Sequence, residues 1–125
     1  MKKYPMELHQ GTIIGEDEFR REVKLFTSPK SLIETPDFAL GMTVIKPGKK
    51  HEAHAHDGNQ EVMIIYEGTG LAIINDVETA ICKGDIISVE KSEPHGFINT
   101  GEDNLKILWI YYPPGAADGK FLRKD

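Results

Sequence analysis

The sequence predicts an all-β domain of the barrel or jelly-roll type, and three observations carry that expectation. Glycine and proline interrupt the chain at short intervals, the runs between them are rich in β-branched and aromatic residues, and no helix of ordinary length is required after residue 37. Short strands joined by tight turns pair antiparallel, and such sheets close or stack to hide their edges. With 125 residues, 39% of them hydrophobic, the chain is sized for one domain with one core.

The strands follow in order. Phe38 to Ile45 is an apolar run stopped by Pro47-Gly48, and Glu61 to Tyr66 is stopped by Gly68. Leu71 to Ile74 and Val77 to Cys82 flank Asn75-Asp76, a pair suited to a two-residue hairpin. Lys83-Gly84 turns the chain into Ile86 to Val89; His95 to Ile98 is short, and Leu105 to Tyr112 ends at Pro113-Pro114-Gly115. Residues 37–113 thus form the barrel core, residues 1–36 an N-terminal arm, and residues 114–125 a tail packed along the outside. In the arm, Val23 to Phe26 is expected as a strand, and Ser28-Pro29 as the cap and first position of a single helical turn through Ile33.

Parity sorts the faces. Met63 and Ile65 share the parity of Glu61, and Phe97 that of His95. On the last strand Trp109 and Tyr111 lie opposite Lys106 and are expected inside. Leu108, Ile110 and Tyr112 fall on the outer face, where they are too apolar for open solvent and point to a homodimer formed through sheet faces or exchanged N-terminal strands. Cys82, the single cysteine, excludes an internal disulfide and is expected in the core or at an interface.

Charge excludes other classes. The net charge is −5, and the one basic cluster, Lys120 with Arg123-Lys124, sits beside acids in the tail, so a nucleic-acid partner is not expected. No apolar run reaches membrane-spanning length and none follows the N-terminal lysines, so the expected location is the cytoplasm without a membrane partner.

The chemistry gathers at histidine. His54 and His56 lie two apart, so on a strand their imidazoles share a face. The step to Glu61 has the wrong parity for one continuous strand, and Asp57-Gly58-Asn59-Gln60 supplies the turn that resets it. His95 arrives after Pro94 from a different strand. Three imidazoles and a carboxylate suit one divalent transition metal ion, and iron, manganese, nickel, zinc, cobalt and copper all accept such a set. An octahedral shell would keep two positions for water, dioxygen or a chelating substrate. His51 and Glu52 are expected on the loop leading into the site, Glu52 as a solvated charge, and His9 is expected to be exposed near the terminus.

These residues resemble the cupin superfamily, in its small single-domain form. Gly48, five residues, His54, one residue, His56, four residues, Glu61, six residues and Gly68 match the first cupin motif. The second motif resembles Gly84-Asp85 through Pro94-His95 with Asn99 beyond. One departure is that Lys91-Ser92-Glu93-Pro94 stands where that motif usually has Pro-x-Gly. The resemblance covers about half of the chain and implies a double-stranded β-helix barrel, the ligand set His54, His56, Glu61 and His95, and frequently a dimer. Gly68 and Gly84 are expected to serve turns, and Asn99 to hydrogen-bond backbone.

Two functions fit this frame. One is a metal-dependent enzyme acting on a small oxygen-rich molecule, a carboxylate or keto acid, by dioxygenase-, decarboxylase- or isomerase-like chemistry. The other is a non-catalytic module that binds a small molecule or sugar and acts with a partner protein. No catalytic base is evident beyond the metal ligands.

Overall fold

Alternating burial sets the long strands of the larger sheet against the core. The computed structural model describes residues 1–55 and 58–122, so His56, Asp57 and the basic pair Arg123-Lys124 lie outside the described residues. Eleven strands are assigned among the described residues: β1 (Thr12–Ile14), β2 (Arg21–Ser28), β3 (Ile33–Glu34), β4 (Ala39–Ile45), β5 (Lys50–His54), β6 (Gln60–Glu67), β7 (Thr69–Ile74), β8 (Val77–Cys82), β9 (Ile86–Val89), β10 (His95–Ile98) and β11 (Leu105–Tyr112). One sheet runs β1-β2-β4-β11-β6-β9 with β3 against β2, and the other runs β5-β10-β7-β8. Every pairing is antiparallel except β2 with β3. The fold is an all-β jelly roll, and the barrel strands keep the expected order.

The core draws on both sheets. Val23, Leu25, Ile45, Met63, Ile65, Leu105, Ile107, Trp109 and Tyr111 come from the larger sheet, and Ala72, Ile81 and Phe97 from the smaller. Each large apolar side chain so buried contributes roughly 1.5–3 kcal/mol before entropy is counted. Parity therefore places Met63, Ile65, Phe97, Trp109 and Tyr111 as expected. The register of β4 with β11 is unbroken from Leu105 opposite Ile45 to Tyr111 opposite Ala39. Trp109 lies across from Gly41, where a Cβ would overlap the indole and come within 2.5 Å of the Lys24 carbonyl. Gly41 therefore makes room for the Trp109 ring, which stacks on Tyr111 at 4.4 Å and donates its indole N–H to Thr43 Oγ1 at 3.0 Å.

The turns follow their residue chemistry. Asn75 and Asp76 both take positive φ, as a tight hairpin of primed type requires. Gly68 and Gly84 have φ of +93° and +96°. Asn99 is buried and donates to the Ile45 and Asp103 carbonyls while accepting from the Gly101 amide.

Four expectations change. The helical turn after Ser28 does not form: the Ser28 hydroxyl caps the Ser31 amide, but the chain then extends into β3 and pairs with β2 instead. Cys82 is exposed rather than in the core. It ends β8, an edge strand on which Ile81 alone turns inward. His9 is half-buried and packs edge-on against Phe26. Residues 114–122 of the tail turn partly inward. A short helix, α1 (Ala117–Phe121), buries Ala117, sets Phe121 against Trp109 at 5.6 Å, and is tied to β2 where the Ser28 hydroxyl meets the Asp118 carboxylate.

Candidate metal centre

The site is built on a fault in a sheet. His95 on β10 pairs directly with His54 on β5, but the next matched pair is Phe97 with His51, so a β-bulge puts Glu52 and Ala53 opposite Gly96 alone. In a regular strand His51 and His54, three apart, would face opposite sides. The extra residue restores a common facing, and their rings stack at 4.5 Å with 28° between planes. Gly96 is what permits the bulge: a Cβ there would lie 2.8 Å from the Ala53 nitrogen and from the His51 carbonyl oxygen. His51 is thus on a strand beside the site, not on a loop leading to it.

His95 stands against two of the other expected ligands, His54 and Glu61. The His54 and His95 ring centroids are 4.5 Å apart. Glu61 comes from β6 in the other sheet, and its Oε1 accepts a 2.9 Å hydrogen bond from His95 Nε2; both residues are buried. The fourth, His56, lies outside the described residues.

The backbone orients the imidazoles. His95 Nδ1 faces the Glu93 carbonyl at 3.0 Å, while His51 and His54 both present Nδ1 to the Glu52 carbonyl, at 2.8 and 3.3 Å. A carbonyl oxygen only accepts, so each Nδ1 carries the proton; a neutral His54 ring then keeps its lone pair on Nε2, whereas His95 Nε2 donates to Glu61 and offers a lone pair only once that proton is given up. Metal-binding histidines are commonly fixed in this way.

Electrostatics differ from ring to ring. Burial lowers the His95 pKa, but its bonds to Glu61 and Glu93 and the charges of both outweigh that and raise it above the ordinary value. At His51 burial prevails, aided by the charges of Arg21 and His54, and pushes the imidazole down to about 3. Burial, with the Glu61 charge, holds the Tyr111 phenol well above its usual range.

A cavity of about 370 Å³ opens beside these rings, lined by Arg21, His51, Glu52, His54, Tyr111 and Lys120 among others. Glu52 is not a free solvated charge: it pairs with Arg21 at 3.0 Å. Arg21 was absent from the expected site. Its signal was parity, because it shares the inward face of β2 with Val23 and Leu25.

A family model for the cupin domain matches residues 41–111. The chain belongs to the cupin family. It is 31% identical over 104 residues to an oxalate-binding protein of Thermotoga maritima, covering 83% of this chain and 74% of that one. An uncharacterized protein of Methanocaldococcus jannaschii is 34% identical over 76 residues, and the match spans 61% of each chain. Among solved structures, a predicted oxalate decarboxylase of Thermotoga maritima superposes with a TM-score of 0.79 at 20% identity, covering 90% of this chain and 99% of that one.

Cupins often hold a divalent metal, and the donor set of this cupin fits one by its chemistry. It offers two oriented imidazoles on the paired strands β5 and β10 and a buried carboxylate from β6 in the facing sheet. Among the described residues no three His, Cys, Asp or Glu side chains already converge as a finished cage. The Glu61–His95 hydrogen bond turns two of the donor atoms toward each other.

Proposed function

We propose that this cupin is a metal-dependent enzyme acting on a small oxygen-rich anion, a carboxylate or keto acid, in a dioxygenase- or decarboxylase-like reaction. The observation that carries this reading is the common orientation of the imidazoles, each with Nδ1–H committed to a backbone carbonyl beside a buried carboxylate. His54, His56, Glu61 and His95 would hold the ion. When bound, it supplies Lewis-acid chemistry and, if redox-active, chemistry with dioxygen. The protein supplies orientation and dryness: the Glu52 and Glu93 carbonyls fix the rings, and Phe97, edge-on to His51 at 6.3 Å, walls the site against water. Glu61 is the one formal negative charge in the set, so a divalent ion there would stay net positive and attract an anion.

Metal analysis of the purified protein tests the first half, and about one divalent ion per chain is expected. Glu61→Gln should keep the fold and lower metal affinity at least about tenfold. A panel of keto acids, dicarboxylates, diketones and sugars, assayed with and without air, tests the second half. Turnover only in air selects the oxygenase form, and equal turnover without air selects a decarboxylase or isomerase. Tight binding without turnover in either condition replaces the enzyme by a binding module, an outcome that the oxalate-binding relative makes worth measuring.

We also propose that the chain forms a homodimer through the outer face of β11, β6 and β9. Ile110 pairs with Val62, Leu108 with Ile64, and Ile64 with Ile86, giving a continuous apolar band. Ile64, Ile86, Ile110 and Tyr112 on that face are exposed. An apolar band of this kind marks a partner surface. Sedimentation should give a dimer at micromolar concentration and a monomer for Ile110→Glu; a monomeric wild-type protein would end the proposal.

A further inference from the structure

Arg21 is a charge where the fold expects an apolar residue. It opens β2 on the face that buries Val23 and Leu25, and its side chain is only 7% exposed. Burying a guanidinium is costly unless its donors are matched. Three contacts do so on one side: Nη1 donates to the Phe19 carbonyl at 2.9 Å and to Glu52 Oε2 at 3.5 Å, and Nη2 donates to Glu52 Oε1 at 3.0 Å. The other side is not matched. Nε is buried with no hydrogen-bond partner among the described residues, and Nη2 carries a second hydrogen beyond the one it gives to Glu52.

An Nε–H and an Nη2–H side by side form the fork that takes a carboxylate in two parallel hydrogen bonds. Arg21 lines the 370 Å³ cavity that His51, His54 and Tyr111 also line. At roughly 30 Å³ per water molecule the cavity has room for about a dozen waters, or for a small organic acid in their place. Lys120 stands at the same cavity and adds a second positive charge. Glu52, roughly half-exposed, holds the far edge of the guanidinium and thereby aims the near one.

We propose that Arg21 is the specificity residue of the cavity: its Nε edge binds the distal carboxylate of a small dicarboxylate whose other end is held at the His54–Glu61–His95 site. This rests on the metal-site reading for one end of the ligand and adds the second acidic group that the ligand must carry. A structural ion pair between β2 and β5 would need only the Glu52 edge and would leave no reason for a buried, unmatched Nε–H beside the cavity.

The test compares α-ketoglutarate with α-ketobutyrate, which shares the keto-acid end and lacks the distal carboxylate. Metal stoichiometry is measured first, and calorimetry with both acids then follows on zinc-loaded protein. The wild-type protein should bind α-ketoglutarate at least about tenfold more tightly, the worth of one charge-assisted fork. The Arg21 Nε–H NMR signal should move with α-ketoglutarate and stay still with α-ketobutyrate. Arg21→Gln should erase the preference while zinc stoichiometry is unchanged. Because that variant strips Glu52 of its partner and could unfold, Glu52→Gln is the second arm: it leaves the guanidinium charge uncompensated and should tighten α-ketoglutarate binding.

If zinc binds but the two acids bind equally and the Nε–H signal is silent, the Arg21 proposal is overturned and the metal site stands. If zinc does not bind, the metal-site reading fails. The Nε–H signal of the metal-free protein then decides Arg21 by itself, a shift with α-ketoglutarate supporting it and silence overturning it.

Discussion

Two antiparallel pairings give this molecule its two characters. β4 and β11 stay in register over seven matched residues, and β5 and β10 break register after their first pair. The regular ladder puts every second residue into the core, with Gly41 hollowed out so that Trp109 fits. The broken one spends its irregularity on aim, turning His51 and His54 to the same side to meet His95. In both, a glycine stands where a second backbone or ring comes too close for any Cβ. The difference is what approaches: at Gly41 an indole with the Lys24 carbonyl behind it, at Gly96 the backbone of the bulge itself. Regularity here builds stability, and local irregularity builds the site.

The comparison breaks most severely at Gly41. Its Cβ would overlap a ring that is stacked on Tyr111 and bonded to Thr43, with the Lys24 carbonyl 2.5 Å away. Gly41→Ala should therefore cost about 3 kcal/mol, the upper end for overpacking, and should redden Trp109 fluorescence as the indole is displaced toward water. Denaturant titration checks the first, and a loss below 1 kcal/mol would mean that the indole moves freely.

Gly96→Ala is the matched experiment on the other ladder. The three nearest atoms to the new Cβ all belong to backbone at 2.8–3.0 Å, so the bulge has to open. The expected stability loss is about 2 kcal/mol, smaller than at Gly41 because β5 is half-exposed and can shift outward. Metal uptake should suffer more than stability, with affinity falling at least about tenfold. Wild-type affinity in a destabilised Gly96→Ala protein would separate the bulge from the site.

The same contrast says what was legible in the sequence. Strand order, the Asn75-Asp76 hairpin and the inward set on β11 were readable because parity holds wherever register is unbroken. Glu61 and His95 were singled out as metal ligands by motif resemblance, and the structure joins them by a hydrogen bond. His51 was misplaced because parity cannot anticipate a bulge, whose cause, Gly96, lies 45 residues downstream on another strand. Arg21 and Glu52 were missed as a pair because the contact between β2 and β5 joins two different sheets. Ala117 and Phe121 were misjudged because a short tail gives no period to read, and only the open side of Trp109 explains why they turn inward.

The finest test lies in the turn that delivers His95. Ser92 stands where the related motif usually has glycine, and it takes φ +63°. A side chain in that left-handed region costs about 1–2 kcal/mol, and glycine removes the cost while adding roughly 0.5–1 kcal/mol of unfolded-state freedom. Ser92→Gly should thus stabilise the protein by about 0.5 kcal/mol, a rise in Tm of about 2 °C for a domain of this size. The gain should leave the site alone, because Glu93 makes the contacts that aim His95. The Glu93 amide donates to the Glu90 carbonyl at 3.1 Å, its carboxylate accepts from Asn75 at 2.7 Å, and its carbonyl takes the His95 Nδ1–H. Calorimetric unfolding beside a metal titration separates the two effects. A loss of stability above 1 kcal/mol would mean that the Ser92 hydroxyl holds the turn, and altered metal affinity at unchanged Tm would mean that position 92 steers His95 after all.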